Sequence, residues 1–203
     1  MTKLSEIRSS KNVLDGSAAA TDLNLSADDC VIGSGAGGAL TAATLAQHGR
    51  TVLLIEEGGY YTSQDFTMRE RDTESRLYQE GMTRTTKDAG ITIFQGKAVG
   101  GTTVVNWTTS FRTPPQVVEH WRSKHAVGGF AYADLLPHYQ AIEERLSIAQ
   151  VEPASMNRNN RTLYDGCQKL GWAVEPLRRN VYACQQTGFC HLGCPVNAKR
   201  SML

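Results

Sequence analysis

Between Cys30 and Glu56 the chain runs from a short apolar stretch, Cys30-Val31-Ile32, through Gly33-Ser34-Gly35-Ala36-Gly37-Gly38, to a second apolar stretch from Thr51 to Ile55 that ends on Glu56. Few folds accommodate that order. Glycines spaced G-x-G-x-x-G between two such stretches predict a βαβ unit: Gly33 permits a tight turn out of the strand, Gly35 lets the backbone approach a pyrophosphate, and Gly38 lets the helix pack on the sheet. Ala42 and Leu45 give that helix an apolar face, and Gly49 stands where a helix-terminating glycine belongs. Val52-Leu53-Leu54-Ile55 has the character of a parallel strand buried on both faces. Phosphates are expected at the helix N-terminus around Ala36 and Gly37, where free N–H groups and the positive end of the helix dipole favour an anion. Glu56 is placed to accept hydrogen bonds from ribose hydroxyls, and its charge argues against a 2′-phosphorylated cofactor. This unit alone leaves NAD and FAD both open.

The charge balance narrows the partners. With 21 basic and 20 acidic side chains mixed along 203 residues and a net charge of +1, the chain has no footprint for nucleic acid or an anionic membrane surface. No apolar run approaches the roughly 20 residues that cross a bilayer, and residues 1–25 lack a signal-peptide core. The expected compartment is the cytoplasm, with peripheral membrane attachment through a partner subunit left open. Residues 1–26 read as a polar arm. Residues 27–203 read as the N-terminal part of an α/β, Rossmann-like domain with additional helices, incomplete at its C-terminal end, because a doubly wound sheet needs more than two parallel strands.

Beyond Glu56 a charged helix is expected over residues 66–80, closed by Gly81, and a strand over 91–95. That strand leads into a second glycine-rich segment, Gly96-Lys97-Ala98-Val99-Gly100-Gly101-Thr102-Thr103-Val104-Val105-Asn106-Trp107. Helices are expected over 114–124, 132–147 and 157–170, and a strand over 172–177. Cys30 and Cys167 fall in such elements, where a buried thiol acts as a small hydrophobe.

The first glycine motif with Glu56, followed by G-K-A-V-G-G-T-T-V-V-N-W, resembles the glucose-methanol-choline (GMC) flavoprotein oxidoreductases from Asp29 onward. The family's second motif is Gly-(Arg/Lys/Asn)-x-aliphatic-Gly-Gly, then two small residues, an aliphatic residue and Asn. Gly96, Lys97, Val99, Gly100, Gly101, Thr102, Thr103, Val105 and Asn106 match it, whereas Ser110 departs from the aromatic residue or Ala expected at that position. The resemblance implies non-covalent FAD, with residues 33–38 at the pyrophosphate, Glu56 at the adenosine ribose, and Lys97, Val99, Gly100, Gly101, Thr102, Asn106 and Trp107 along the flavin side. It further implies hydride transfer from an alcohol or sugar CH–OH to the flavin. The family's catalytic His lies near its C-terminus, beyond Leu203, so no residue of this chain is assigned to proton transfer.

Cys184, Cys190 and Cys194 form a C-x5-C-x3-C segment with intervening glycines and Pro195 after the last thiol. Such a loop suits a small inorganic centre, although the usual C-x2-C spacing is absent. A zinc site with His191, plain thiols and a disulfide are the other readings. The segment is similar to one in GMC subunits of membrane-linked sugar dehydrogenases, which carry an iron-sulfur cluster. It is also similar to the G-C-x4-K segment of long-chain alcohol oxidases, here Gly193-Cys194 to Lys199, where none is implied.

The function expected is therefore the FAD-binding portion of an oxidoreductase acting on CH–OH donors, with an electron-accepting subunit or cytochrome as a further partner. An NAD-dependent Rossmann dehydrogenase and a non-catalytic, cysteine-based metal or electron-transfer module are the alternatives.

Overall fold

The glycine turn and its two flanking strands form the βαβ unit that the sequence predicts. The computed structural model describes residues 10–203. Strand β1 (Asp29–Ile32) leads through the turn into helix α1 (Ala36–Gln47), and β2 (Val52–Ile55) returns parallel to β1 in the register Asp29 to Val52 through Ile32 to Ile55. Gly33 adopts φ +88° and Gly49 φ +81°, left-handed values that a side chain would disfavour. Ala42 is buried and Leu45 half-buried, which keeps α1 against the strands. Among the described residues the sheet has only these two strands, so Ile32 is 85% exposed and Leu54 and Ile55 lie open, where sequence reasoning expected burial on both faces. Cys30 is likewise exposed.

After β2 the chain passes to helix α2 (Glu70–Leu77), which is shorter than the expected span of 66–80. Met68 takes φ +59° before the helix begins, and Tyr78 leaves it in extended geometry to bridge with Gly96. Leu77 and Tyr78 are thereby delivered to a core with Ala98, Val104 and Val105, against which Tyr61, Phe66 and Met82 pack. Burying those side chains contributes more than another helical turn would. Residues 91–95 do not form the expected strand. They turn back in a loop joined by a Thr85–Thr92 bridge, with Ile91, Ile93 and Phe94 exposed, and among the described residues no strand lies beside them to complete a ladder.

Helices α3 (Pro115–His125), α4 (Tyr132–Arg145) and α5 (Arg158–Lys169) match their expected spans within two residues. Asn157 caps α5, its side-chain oxygen accepting from the Asn160 N–H at 2.9 Å. A second, antiparallel pair joins β3 (Ile148–Gln150) to β4 (Arg178–Asn180). The strand expected over 172–177 is thus displaced to Arg178–Asn180, and β3, which no expected element covers, begins directly after the span 132–147 read as helix. Among residues 10–26 only the short 3-10 turn Gly16–Ala18 forms. Residues 1–9 of the expected arm lie outside the described residues. No helix of the described residues is long and apolar enough to cross a membrane.

Candidate functional site

Two glycine motifs far apart in sequence meet at the N-terminus of α1. An added Cβ at Gly101 would stand 2.8 Å from Gly35 Cα, so the two backbones touch where neither residue carries a side chain. Gly100 N–H donates to Ser34 Oγ at 2.9 Å, and the Ser34 hydroxyl donates to Glu56 Oε2 at 2.7 Å. Ser34 N–H donates to the same carboxylate oxygen at 2.8 Å, and Gly58 N–H donates to Oε1 at 2.8 Å. Ser34, 1% exposed, therefore links the first turn, the acid at the end of β2 and the second motif.

The chemistry of this junction suits an anion beside α1. Gly35 is the helix N-cap and makes no side-chain capping bond, and Ala36 and Gly37 are exposed, so the first N–H groups of a 12-residue helix face outward. Gly38 serves packing: a Cβ there would meet Gly33 O at 1.9 Å. Burial works to raise the pKa of Glu56, but the hydrogen bonds from Ser34 Oγ, Ser34 N–H and the Gly58 and Glu57 N–H groups outweigh it and hold the carboxyl below its ordinary value. Glu56 thus stays ionised and acceptor-only beside the turn.

The second motif is fixed by backbone bonds. Lys97 N–H donates to Leu77 O at 2.7 Å, Val99 N–H to Gly59 O at 3.0 Å, and Gly96 N–H to Thr102 Oγ1 at 3.0 Å. Gly100 adopts φ +93°. The chain then forms a 3-10 turn over Gly101–Val104 and continues through Asn106, half-buried, to Trp107, 58% exposed and stacked on His191 at 4.4 Å between ring centroids. Residues 33–38, Glu56 and 96–102 are thus brought to one junction, and Asn106 and Trp107 extend from it.

The three thiols do not join them. Among the described residues no group of three or more His, Cys, Asp or Glu side chains is arranged to hold a metal ion, and all the cysteines are free. Each sulfur has a separate donor: Gln186 N–H lies 3.4 Å from Cys184 Sγ, Arg179 Nη2 3.2 Å from Cys190 Sγ, and Ala198 N–H 3.2 Å from Cys194 Sγ. The iron-sulfur cluster and the zinc site read from the C-x5-C-x3-C spacing therefore find no support. All three cysteines border a cavity of about 880 Å³ between α5, β3 and β4, whose rim includes Trp107 but none of the first glycine turn.

Sequence reasoning did not single out Ser34, Arg179 or the buried amine of Lys199. Lys199 is 7% exposed, and burial lowers its pKa to about 8, against the smaller opposing influence of Cys190 and Cys194. Ser34 did carry a signal, as the polar residue between the first two glycines of the turn.

Comparison with known proteins agrees with this geometry. Residues 74–203 match the GMC oxidoreductase family, and residues 31–79 an NAD(P)-binding Rossmann-like domain. A long-chain-alcohol oxidase of Arabidopsis thaliana is 34% identical over 172 residues, covering 85% of this chain and 23% of that protein. A GMC-type oxidoreductase of Mycobacterium tuberculosis is 38% identical over 175 residues, covering 85% and 28% respectively. The chain thus spans about a quarter of the length of these curated relatives. The crystal structure of pyridoxine 4-oxidase from Mesorbium loti shares the fold, with a TM-score of 0.64 at 22% identity over 78% of this chain and 37% of that one. With the family match covering residues 74–203, this chain belongs to the GMC oxidoreductase family.

Proposed function

We propose that this chain is the FAD-binding portion of an oxidoreductase that takes a hydride from an alcohol or sugar CH–OH group. The observation that carries the reading is the contact of Gly35 with Gly101 beside the uncapped start of α1, which makes one continuous backbone surface from two glycine motifs. A simple dinucleotide site needs only the first motif.

In this reading the outward N–H groups at Ala36 and Gly37 bind the pyrophosphate, and the Glu56 carboxylate receives a ribose hydroxyl by sharing one of its acceptor sites. The 96–107 segment lies along the isoalloxazine, with Lys97, Val99, Thr102, Asn106 and Trp107 on that side. Bound FAD supplies hydride acceptance; the chain's residues hold and orient it. Long-chain-alcohol oxidases among the relatives favour an alcohol over a sugar as donor. The proposal includes no iron-sulfur cluster. A cytoplasmic setting and an electron-accepting partner belong to the same reading.

An anaerobic visible spectrum of the full-length protein tests it. Flavin bands that bleach on adding a primary alcohol are expected. A colourless protein that binds NAD would instead establish the nicotinamide alternative, which the Rossmann-like match of residues 31–79 keeps in view.

A further inference from the structure

Segment 179–199 grips the far end of the second glycine motif from several directions. Lys199 Nζ donates to Val104 O at 2.8 Å, Asn106 O at 2.7 Å and Cys190 O at 2.6 Å. All three acceptors are main-chain carbonyls, and they use the three donors of one ammonium group. A buried cation is costly unless such partners surround it, so the local fold is organised around this amine. Two of the carbonyls belong to the turn that ends in Trp107, 93 and 95 positions away in sequence.

The turn itself is under strain. Thr108 is fully buried and β-branched, yet sits at φ +65°. A residue holds such geometry only when its surroundings over-determine it. Here Thr108 N–H donates to Asn106 Oδ1 at 3.2 Å, Arg179 Nε donates to Thr108 Oγ1 at 2.7 Å, and Asn180 N–H donates to Thr108 O at 3.2 Å. Arg179 then reaches back through Nη2 to Cys190 Sγ.

His191 adds a third hold. Its ring stacks on Trp107 with planes 22° apart, while its Nδ1 is buried without a hydrogen-bond partner. An unsatisfied buried nitrogen is unfavourable, so this ring is placed by its aromatic contact. Its backbone is anchored separately, Tyr78 Oη donating to His191 O at 2.6 Å.

We propose that the cysteine-bearing segment is a mechanical clamp on the flavin-side turn, with Lys199 as the positioning residue that fixes Asn106 and Trp107 for FAD. The proposal rests on the flavin reading above. It gives the segment a task for which its thiols need no metal.

The test is Lys199→Met in the full-length protein, read by FAD dissociation constant, visible circular dichroism of the bound flavin, and apoprotein melting. Removing the ammonium leaves three carbonyls without their donor, so FAD affinity is expected to fall about tenfold or more and the flavin dichroism to change. Lys199→Arg is expected not to restore either, since a planar guanidinium cannot reproduce a three-fold ammonium contact. Wild-type affinity and dichroism in Lys199→Met would overturn the clamp. Should Lys199→Met fail to fold, His191→Ala decides. It removes only the stack, and it must alter the quenching of Trp107 emission by bound FAD; unchanged quenching overturns the proposal. A wild-type protein that binds no FAD would instead sink the flavin reading itself.

Discussion

The Ser34 hydroxyl accepts a hydrogen bond from Gly100 N–H at 2.9 Å across 66 positions of sequence, and donates its own to Glu56. One small buried side chain therefore holds both glycine motifs and the acid of β2 in a fixed relation. Ser34→Ala leaves the Gly100 N–H without its acceptor and takes one donor from Glu56. The expected cost is about 1–3 kcal/mol of stability, with weaker FAD binding alongside. Denaturant unfolding of the apoprotein and a flavin titration measure the two losses. Full retention of both would show that water replaces the hydroxyl.

Glu56 makes the same junction sensitive to acid. Its folded carboxyl titrates below the ordinary 4.5, so the folded state holds fewer protons than the unfolded chain in the window beneath that value. The stability contributed by its ionised form is complete above about pH 4.5 and is lost as the pH falls through the folded pKa. Glu56→Gln keeps an acceptor oxygen but has no charge to lose. Melting temperatures followed from pH 6 downward should therefore fall more steeply for the wild type than for Glu56→Gln. Parallel curves would count against the depressed pKa.

Gly38 and Gly35 should separate by what their missing side chains make room for. A Cβ at Gly38 collides with the Gly33 carbonyl, main chain that cannot swing aside, so Gly38→Ala is expected to prevent α1 from docking and to unfold the unit. At Gly35 the nearest atom to an added Cβ is Gly101 Cα at 4.0 Å, and its φ of −63° suits any residue. Gly35→Ala is expected to melt within about 0.5 kcal/mol of wild type. On the proposed reading it should nevertheless bind FAD more weakly, because the methyl group would stand where that reading brings the pyrophosphate. Thermal melts and FAD titrations of the two variants settle it; a Gly35→Ala protein with wild-type affinity would move the phosphates elsewhere.

How far the sequence could be read follows the range of the interactions involved. The βαβ unit was legible because its demands are local: a left-handed Gly33, a Gly38 with no room for a methyl group, and a helix closed by Gly49. The second motif was legible only as a resemblance, since what it packs against, Gly35 and Ser34, lies more than sixty residues away. Tyr78 shows why local propensity failed at α2. Its place in the core and its bridge to Gly96 outweigh the helix-forming residues around it. Lys199 was visible only as the last residue of a G-C-x4-K segment, and its role was not, because nothing in the sequence tells that its amine will hold three main-chain carbonyls, two of them more than ninety residues away.

The cysteines were misleading for a related reason. Their spacing is a pattern along the chain, whereas a metal needs sulfurs converging in space, and here each sulfur faces a different N–H donor. Replacing Cys184 and Cys194 with Ser keeps an acceptor where Gln186 and Ala198 donate, so flavin content and melting should stay near wild type. Cys190→Ser is expected to do more. Its oxygen sits closer to the backbone than the sulfur and widens the gap to Arg179, and that guanidinium also holds the strained Thr108. A loss of about 1 kcal/mol in stability is expected there, larger than for the other two. Metal analysis of the wild type should find neither iron nor zinc in proportion to protein. Stoichiometric iron that disappears in all three serine variants would restore the cluster and remove the case for three independent thiols.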